Sequence, residues 1–60
     1  MNDLYDFYES GYNNTAYQFA YVPEFNGIDT IKAYSIGSID GRLGVKKSID
    51  EVETSVNEFK

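Results

Sequence analysis

The sequence predicts a small α+β domain in which a short N-terminal helix, a three-stranded antiparallel β-meander and a C-terminal helix follow one another (αβββα). Two dipeptides that favour tight hairpin turns, Asn26-Gly27 and Asp40-Gly41, are flanked by runs rich in β-branched and aromatic residues. A helix-capping sequence, "SIDE", then begins at Ser48. Together these signals predict a sheet with a helix packed on one of its faces.

The N-terminal helix is predicted from the stretch "NDLYDFYESG". An Asn-Asp pair provides a cap, and apolar residues recur at Leu4, Phe7 and Tyr8 with helical spacing. Gly11 is expected to end the helix, because glycine is favoured just beyond a helix C-terminus. The following segment, 11–15, is expected to be a loop.

The two turns predict which face of the sheet is buried. Counting outward from the first turn pairs Phe19 with Tyr34 and puts the other large side chains of both strands on one face. Counting outward from the second turn adds Leu43 and Val45 to that same face. Because two independent turns select the same apolar face, we expect that face to be the core.

The C-terminal helix is predicted from a capping box. The Ser48 hydroxyl would accept a hydrogen bond from the amide of Glu51, while the Glu51 carboxylate accepts one from the amide of Ser48. Apolar residues then fall at spacings of three, four and three: Ile49, Val52, Val56 and Phe59. This single stripe is typical of a helix with one buried face, and we expect it to cover the sheet.

Composition limits the classes of function. The chain has 60 residues, which predicts one domain over 1–60, and ten acidic against five basic residues give a net charge of -5. This charge disfavours binding to polyanions and favours a partner with a basic surface. No apolar run is long enough to span a bilayer, and the acidic N-terminus differs from a signal peptide. We therefore expect a cytoplasmic protein with no membrane partner.

Catalytic chemistry is not indicated. The chain has no histidine and no cysteine, so groups that commonly titrate or attack near neutral pH are missing. The carboxylates of the C-terminal helix are expected to be solvated. Asp3, Asp6 and Glu9 could bind a hard cation through oxygen ligands, but their spacing also fits the polar face of a helix. The sequence thus predicts no enzyme, no catalytic residue, no metal site and no cofactor.

A Lys46-Lys47 pair lies directly before the C-terminal helix, within "GRLGVKKSIDEVETSV". The predicted order of elements, with Gly44 and the two lysines ahead of the last helix, resembles the double-stranded RNA-binding domain. That resemblance implies that Lys46 and Lys47 contact phosphates, as in a small nucleic-acid-binding adapter. The sequence departs from the family in its last helix, where "SIDEVETSVNEF" carries four acids in place of a basic helix. Alternatively, the lysines are edge-strand charges that discourage association between sheets.

The main functional hypothesis is a non-enzymatic protein-binding module. Both helices would turn their acids outward and form one anionic surface, which could occupy the nucleic-acid-binding surface of a host or defence protein, as small phage or mobile-element inhibitors do. Tyrosines that the core pattern does not require add contact area. The candidate partner-binding residues are Asp3, Asp6, Glu9, Asp50, Glu51, Glu53, Glu58, Tyr5 and Tyr12. The alternative for these acids is ordinary solubility.

A third class of function, a structural or assembly protein, is also consistent with the sequence. In this case the open face of the predicted sheet would mediate self-association. Its residues would be Ala20, Val22, Ile31 and Ala33.

Overall fold

The computed structural model describes residues 3–16, 24–25 and 27–59. They form three helices: α1 (Asp3–Ala16), α2 (Ile28–Leu43) and α3 (Ile49–Glu58). Each helix contacts the other two, and the contact between α1 and α2 is the most extensive. The described part of the chain is therefore a small three-helix bundle.

The core lies where the three helices meet. It is small and contains few aliphatic side chains, and its fully or nearly buried residues are Phe7, Tyr8, Ala33, Ile36, Val52 and Val56. Partly buried residues surround this core: Leu4, Tyr5, Tyr12, Phe25 and Phe59. Aromatic rings fill the volume that leucine often fills in larger domains.

Phe25, just before α2, extends the aromatic packing on one side of the core. Its ring stacks on Phe7, with centroids 5.6 Å apart, and meets the ring of Tyr34 edge-on at 5.4 Å. Both distances fall within the range that aromatic pairs prefer. The segment before α2 is thereby held against α1.

Glycines allow the backbones of α1 and α2 to touch. A Cβ atom at Gly37 would overlap with the carbonyl oxygen of Tyr8, and one at Gly11 would overlap with the carbonyl oxygen of Tyr34. At Gly41 a Cβ would lie 2.6 Å from the carbonyl oxygen of Tyr12. Glycine in a helix interior costs about 0.5–1 kcal/mol relative to alanine, so the close contact must offset that cost.

Side-chain and backbone caps define the ends of the helices. At the start of α2, the Thr30 hydroxyl donates to the Gly27 carbonyl (2.6 Å) and accepts from the Gly27 amide (3.3 Å). Gly44 ends α2 in the left-handed region (φ 76°), and its amide donates to the Asp40 carbonyl at 2.7 Å. A side chain at position 44 would be strained in this conformation, which explains the glycine.

The capping box predicted for the C-terminal helix is confirmed. The Glu51 amide donates to Ser48 Oγ (3.3 Å), and the Ser48 amide donates to Glu51 Oε1 (2.9 Å). Val52 and Val56 are buried as predicted, whereas Ile49 is exposed. A helix at the N-terminus is also confirmed, but it continues through Gly11 and the predicted loop to Ala16.

The predicted β-meander is wrong, because the described residues contain no strand. Residues 28–43, assigned to two strands and a turn, form α2, and Asp40-Gly41 lies inside its last turns. Gly27 is the residue before α2 and not part of a hairpin turn. The predicted first strand lies largely in residues 17–23, outside the described part of the chain.

The predicted core face of the sheet fails for the same reason. Leu43 and Val45, expected to be buried, are exposed, whereas Ala33 is fully buried. Isoleucine, threonine and tyrosine favour strands, and Asp40-Gly41 favours a turn, so local preference over 28–43 favours two strands joined by a turn. The contact with α1 overrides that preference. Only as a helix does this segment place its small residues on one face, where the two backbones can approach closely.

We predict that Gly37→Ala lowers the free energy of unfolding by about 1–3 kcal/mol, because the added methyl forces the α1 and α2 backbones apart. The higher helix propensity of alanine would by itself raise the free energy of unfolding. Urea unfolding followed by circular dichroism measures the effect. Gly27→Ala is the matched control, since a Cβ there has no atom within 4 Å, and we expect a change below about 1 kcal/mol. A Gly37→Ala variant as stable as the parent would contradict the close packing.

Candidate functional site

Two buried side chains and one partly exposed lysine form a polar cluster where the helices meet, the Tyr8–Asp40–Lys47 cluster. The Tyr8 hydroxyl donates to Asp40 Oδ2 at 2.8 Å and accepts from the Lys47 amide at 2.8 Å. Lys47 Nζ also donates to Asp40 Oδ2, at 2.6 Å. The cluster therefore joins α1, α2 and the connection that leads into α3.

Burial makes this cluster consequential for stability. Tyr8 is 0% exposed and Asp40 is 5% exposed, so water cannot readily form the hydrogen bonds that these groups would lose if the cluster were broken. A buried carboxylate is tolerated only when it is paired and hydrogen-bonded, and Asp40 has both an ammonium and a hydroxyl donor. The Lys47 amide, which precedes α3, is also satisfied within the cluster.

The cluster keeps Tyr8 in its neutral form. Burial is the main cause that raises the pKa of the Tyr8 hydroxyl well above its usual value, and the hydrogen bond to Asp40 raises it further. The hydrogen bond from the Lys47 amide acts in the opposite direction. A hydroxyl held neutral in this way serves as a structural donor and not as a nucleophile.

Lys46 forms a second, exposed ion pair. Its Nζ lies 3.1 Å from Glu9 Oε2 and 5.4 Å from the centre of the Tyr12 ring. The hydrogen bond to Glu9 is the main cause that raises the pKa of Lys46. Exposed pairs of this kind contribute at most about 1 kcal/mol, so this contact orients the lysine more than it stabilises the fold.

These contacts bear on the predicted nucleic-acid interface. The described residues lack the three strands on which the likeness to a double-stranded RNA-binding domain depended, so that likeness in element order is wrong. Lys46 and Lys47 precede α3 as expected, but neither lies on a sheet edge. Each ammonium is directed to a carboxylate of the same chain, Glu9 or Asp40. Phosphate contacts would have to replace these internal pairs.

The structure distributes the predicted partner-binding residues of α1 among different environments. Asp6 is exposed, Glu9 is paired with Lys46, and the side chain of Asp3 is outside the described part. Tyr5 and Tyr12 are half-buried and pack beside Tyr8, with ring centroids 5.8 and 6.3 Å from its ring. Only part of their surface is therefore accessible to a partner.

The acids of α3 are all exposed. At about 100° per residue, Asp50 lies about 60° from Glu53 and about 80° from Glu58 around the helix, on opposite sides of Asp50. Glu51 has a separate role in the capping box, where the Ser48 amide is the main cause that lowers its pKa. Residues 49–58 contain no lysine or arginine.

A shallow groove of about 310 Å³ lies between α2 and α3, beside the buried cluster. Its apolar residues are Ile36, Ile39 and Phe59, and its polar residues are Asp40, Lys47, Ser55 and Glu58. Sequence reasoning missed both the groove and the buried cluster. The missed signal is the four-residue spacing of Ala33, Gly37 and Gly41, which favours a tightly packed helix and would have placed Asp40 beside its packed face.

Other kinds of site find less support in the part of the chain that the structure describes. There, no group of three or more acidic, histidine or cysteine residues is placed to hold a metal ion. None of the three described helices has the length and apolar character required to cross a membrane. Comparisons with protein families, with curated proteins and with solved structures found no match to this chain.

We predict that Tyr8→Phe lowers the free energy of unfolding at pH 7 by about 1–3 kcal/mol, because Asp40 loses a donor and the Lys47 amide loses its acceptor. Tyr12→Phe is the control, since the Tyr12 hydroxyl forms no hydrogen bond with another described residue, and it should change stability little.

The raised pKa of Tyr8 also predicts how stability depends on pH in alkaline solution. Stability provided by neutral Tyr8 is complete below the pKa of an unfolded tyrosine and is lost as the pH rises above it. The parent should therefore lose more stability than Tyr8→Phe in alkaline solution, and parallel profiles would contradict the role of Tyr8.

The capping box makes an opposite prediction at low pH. Because the folded pKa of Glu51 is lowered, its contribution is complete above the pKa of an unfolded glutamate and is lost as the pH falls through the folded value. Glu51→Gln keeps an acceptor for the Ser48 amide but does not titrate. We expect the parent to be more stable than Glu51→Gln at pH 7 and this difference to shrink towards pH 3. Unfolding by urea at several pH values measures it, and a constant difference would argue against a charged cap.

Proposed function

We propose that the chain is a protein-binding module whose acidic helix α3 docks on a basic surface of a partner protein. The observation that carries the proposal is that the two lysines before α3 pair with other parts of the fold. Lys46 and Lys47 pair with Glu9 and Asp40, and neither pairs with an acid of α3. Residues 49–58 carry four acids and no basic residue, and Asp50 and Glu58 are exposed, so this helix presents negative charge.

Charge of one sign on one helix favours fast, selective association. A row of carboxylates attracts a basic surface over several ångströms, and this attraction weakens as salt screens it. Close contact then needs apolar surface as well, because charge pairs at the rim of an interface add little affinity. The groove beside α3, with Ile39 and Phe59 next to Glu58, offers such surface.

The sharper form of the proposal is an inhibitor that occupies the nucleic-acid-binding surface of another protein. Proteins that bind nucleic acids present lysine and arginine to phosphates, and a helix carrying only acids competes for the same groups. Binding of this kind needs no catalytic residue, metal or cofactor. The proposed compartment is the cytoplasm, where nucleic-acid-handling proteins are accessible.

The test is a double charge reversal, Asp50→Lys with Glu58→Lys, at two exposed acids of α3. The parent and the variant are immobilised and exposed to a nuclease-treated cell lysate, and retained proteins are identified by mass spectrometry. We expect the parent to retain nucleic-acid-binding proteins that added duplex DNA or RNA releases. The variant should retain them at least tenfold less, because it repels the same basic surface.

The control is Glu24→Lys with Asp29→Lys, which changes the net charge equally on exposed residues outside α3. This variant should retain the same proteins as the parent. Circular dichroism confirms that all three proteins are folded. Equal loss in both variants would mean that net charge alone governs retention, and unchanged retention in the α3 variant would refute the proposal.

A further inference from the structure

Helix α2 exposes a second apolar surface, away from α1. Four large side chains on this outer face are substantially exposed to solvent: Ile28 69%, Ile31 48%, Ile39 49% and Leu43 69%. At 100° per residue all four fall within a sector of about 120° around the helix. We call this sector the outer face of α2.

This surface differs from a scatter of exposed apolar residues. Single exposed isoleucines are common in soluble proteins, but here two apolar pairs share one sector of a helix on either side of Ser35, which favours contact with another surface. The opposite side of α2 is also buried, against α1 and α3. A helix that is apolar on both sides is typical of one that is covered on both sides.

We propose that a second copy of this chain covers the outer face of α2, with the two α2 helices antiparallel about a twofold axis near Ser35. The four apolar residues lie 7 and 4 positions before Ser35 and 4 and 8 positions after it. This near-symmetric spacing makes the face complementary to itself when one copy is reversed. Ile31 of one copy then meets Ile39 of the other, and Ile28 meets Leu43.

Serine at the centre favours the same arrangement. A small side chain at the crossing point lets two helices approach closely, and larger apolar residues on both sides fill the remaining volume. With Ser35 on the axis, the two serines face each other. The arrangement is isologous, so it closes as a dimer and does not continue into a filament.

The charges on the outer face of α2 are few and all positive, so the apolar contacts of the proposed dimer must outweigh the repulsion between them. The charged residues within the outer face are Lys32 and Arg42, and helical geometry places the acidic residues of α2 outside this sector. A basic partner would therefore find no carboxylate on this face. The proposed dimer interface differs in chemistry from the acidic side of α3, and Ile39, which also lines the groove beside α3, lies at the border between the two surfaces.

The available area predicts a weak dimer. The four apolar side chains offer roughly 400 Å² per copy, and the aliphatic stems of Lys32 and Arg42 extend this to about 600 Å². Two copies would thus bury about 1,200 Å², the lower limit for a specific interface. We therefore expect weak association that added salt does not weaken, because salt screens the repulsion between the Lys32 and Arg42 side chains of the two copies.

Sedimentation equilibrium tests the proposal between about 10 μM and 1 mM protein. The parent mass should rise from the 6.8 kDa monomer towards twice that value as concentration increases. Ile31→Glu should raise the dissociation constant at least tenfold, because the isologous contact buries the new charge twice. The matched control is Ile49→Glu on α3, whose parent side chain is 46% exposed, and its mass should follow the parent. A monomer mass at every concentration, or equal effects of the two substitutions, would overturn the proposal.

Cross-linking tests the antiparallel geometry independently. The chain has no cysteine, so Ser35→Cys introduces one thiol per molecule. A short bismaleimide should link two Ser35→Cys chains far faster than two Thr54→Cys chains, whose thiol lies on the exposed side of α3. Equal rates for the two variants would exclude a twofold axis near Ser35.

Discussion

The backbone contact between α1 and α2 is the constraint on which the rest of the structure depends. Gly11, Gly37 and Gly41 remove the Cβ atoms that would hold the two helices apart. Without that approach the Tyr8 hydroxyl could not reach Asp40, because both groups project from the contacting sides of the two helices. A small chain with few aliphatic core residues thus gains close packing from backbone rather than from large side chains.

The Tyr8–Asp40–Lys47 cluster transmits this constraint to the third helix. The cluster holds the amide and the ammonium of Lys47, and the capping box of α3 begins at the next residue, Ser48. The position of α3, and with it the groove next to Phe59, therefore follows from contacts made by α1 and α2. A buried polar cluster of this kind favours one arrangement of the helices, since any other leaves Asp40 without its donors.

The same contacts separate the charges of the molecule. The two lysines that precede α3 are directed towards Glu9 and Asp40 and not towards the acids of α3. The outer face of α2 carries exposed apolar residues instead. A 60-residue chain thus offers two chemically different surfaces, one anionic and one apolar, on different helices. We propose a partner protein for the first surface and a second copy of the chain for the second.

Features that depend on neighbours along the chain could be predicted from the sequence. The capping box at Ser48 and Glu51 and the buried Val52 and Val56 required only local hydrogen bonding and helical spacing. The N-terminal helix and the excess of acids were also predictable, although the residue at which that helix ends was not. In these cases short-range interactions and the tertiary structure favour the same conformation.

Only the tertiary structure decided the conformation of residues 28–43 and the roles of Asp40 and the two lysines. Local propensity for 28–43 favours strands, and Asp40-Gly41 is a common turn sequence. The helix prevails because its glycines gain a backbone contact with α1 that no local pattern reveals. Likewise, the sequence alone does not distinguish a lysine that binds a phosphate from one that pairs with a carboxylate of the same chain. The fold decides between them by bringing Asp40 within 2.6 Å of Lys47. The chain itself determined the capping box of α3, its own charge and one apolar stripe, and long-range contact determined the rest.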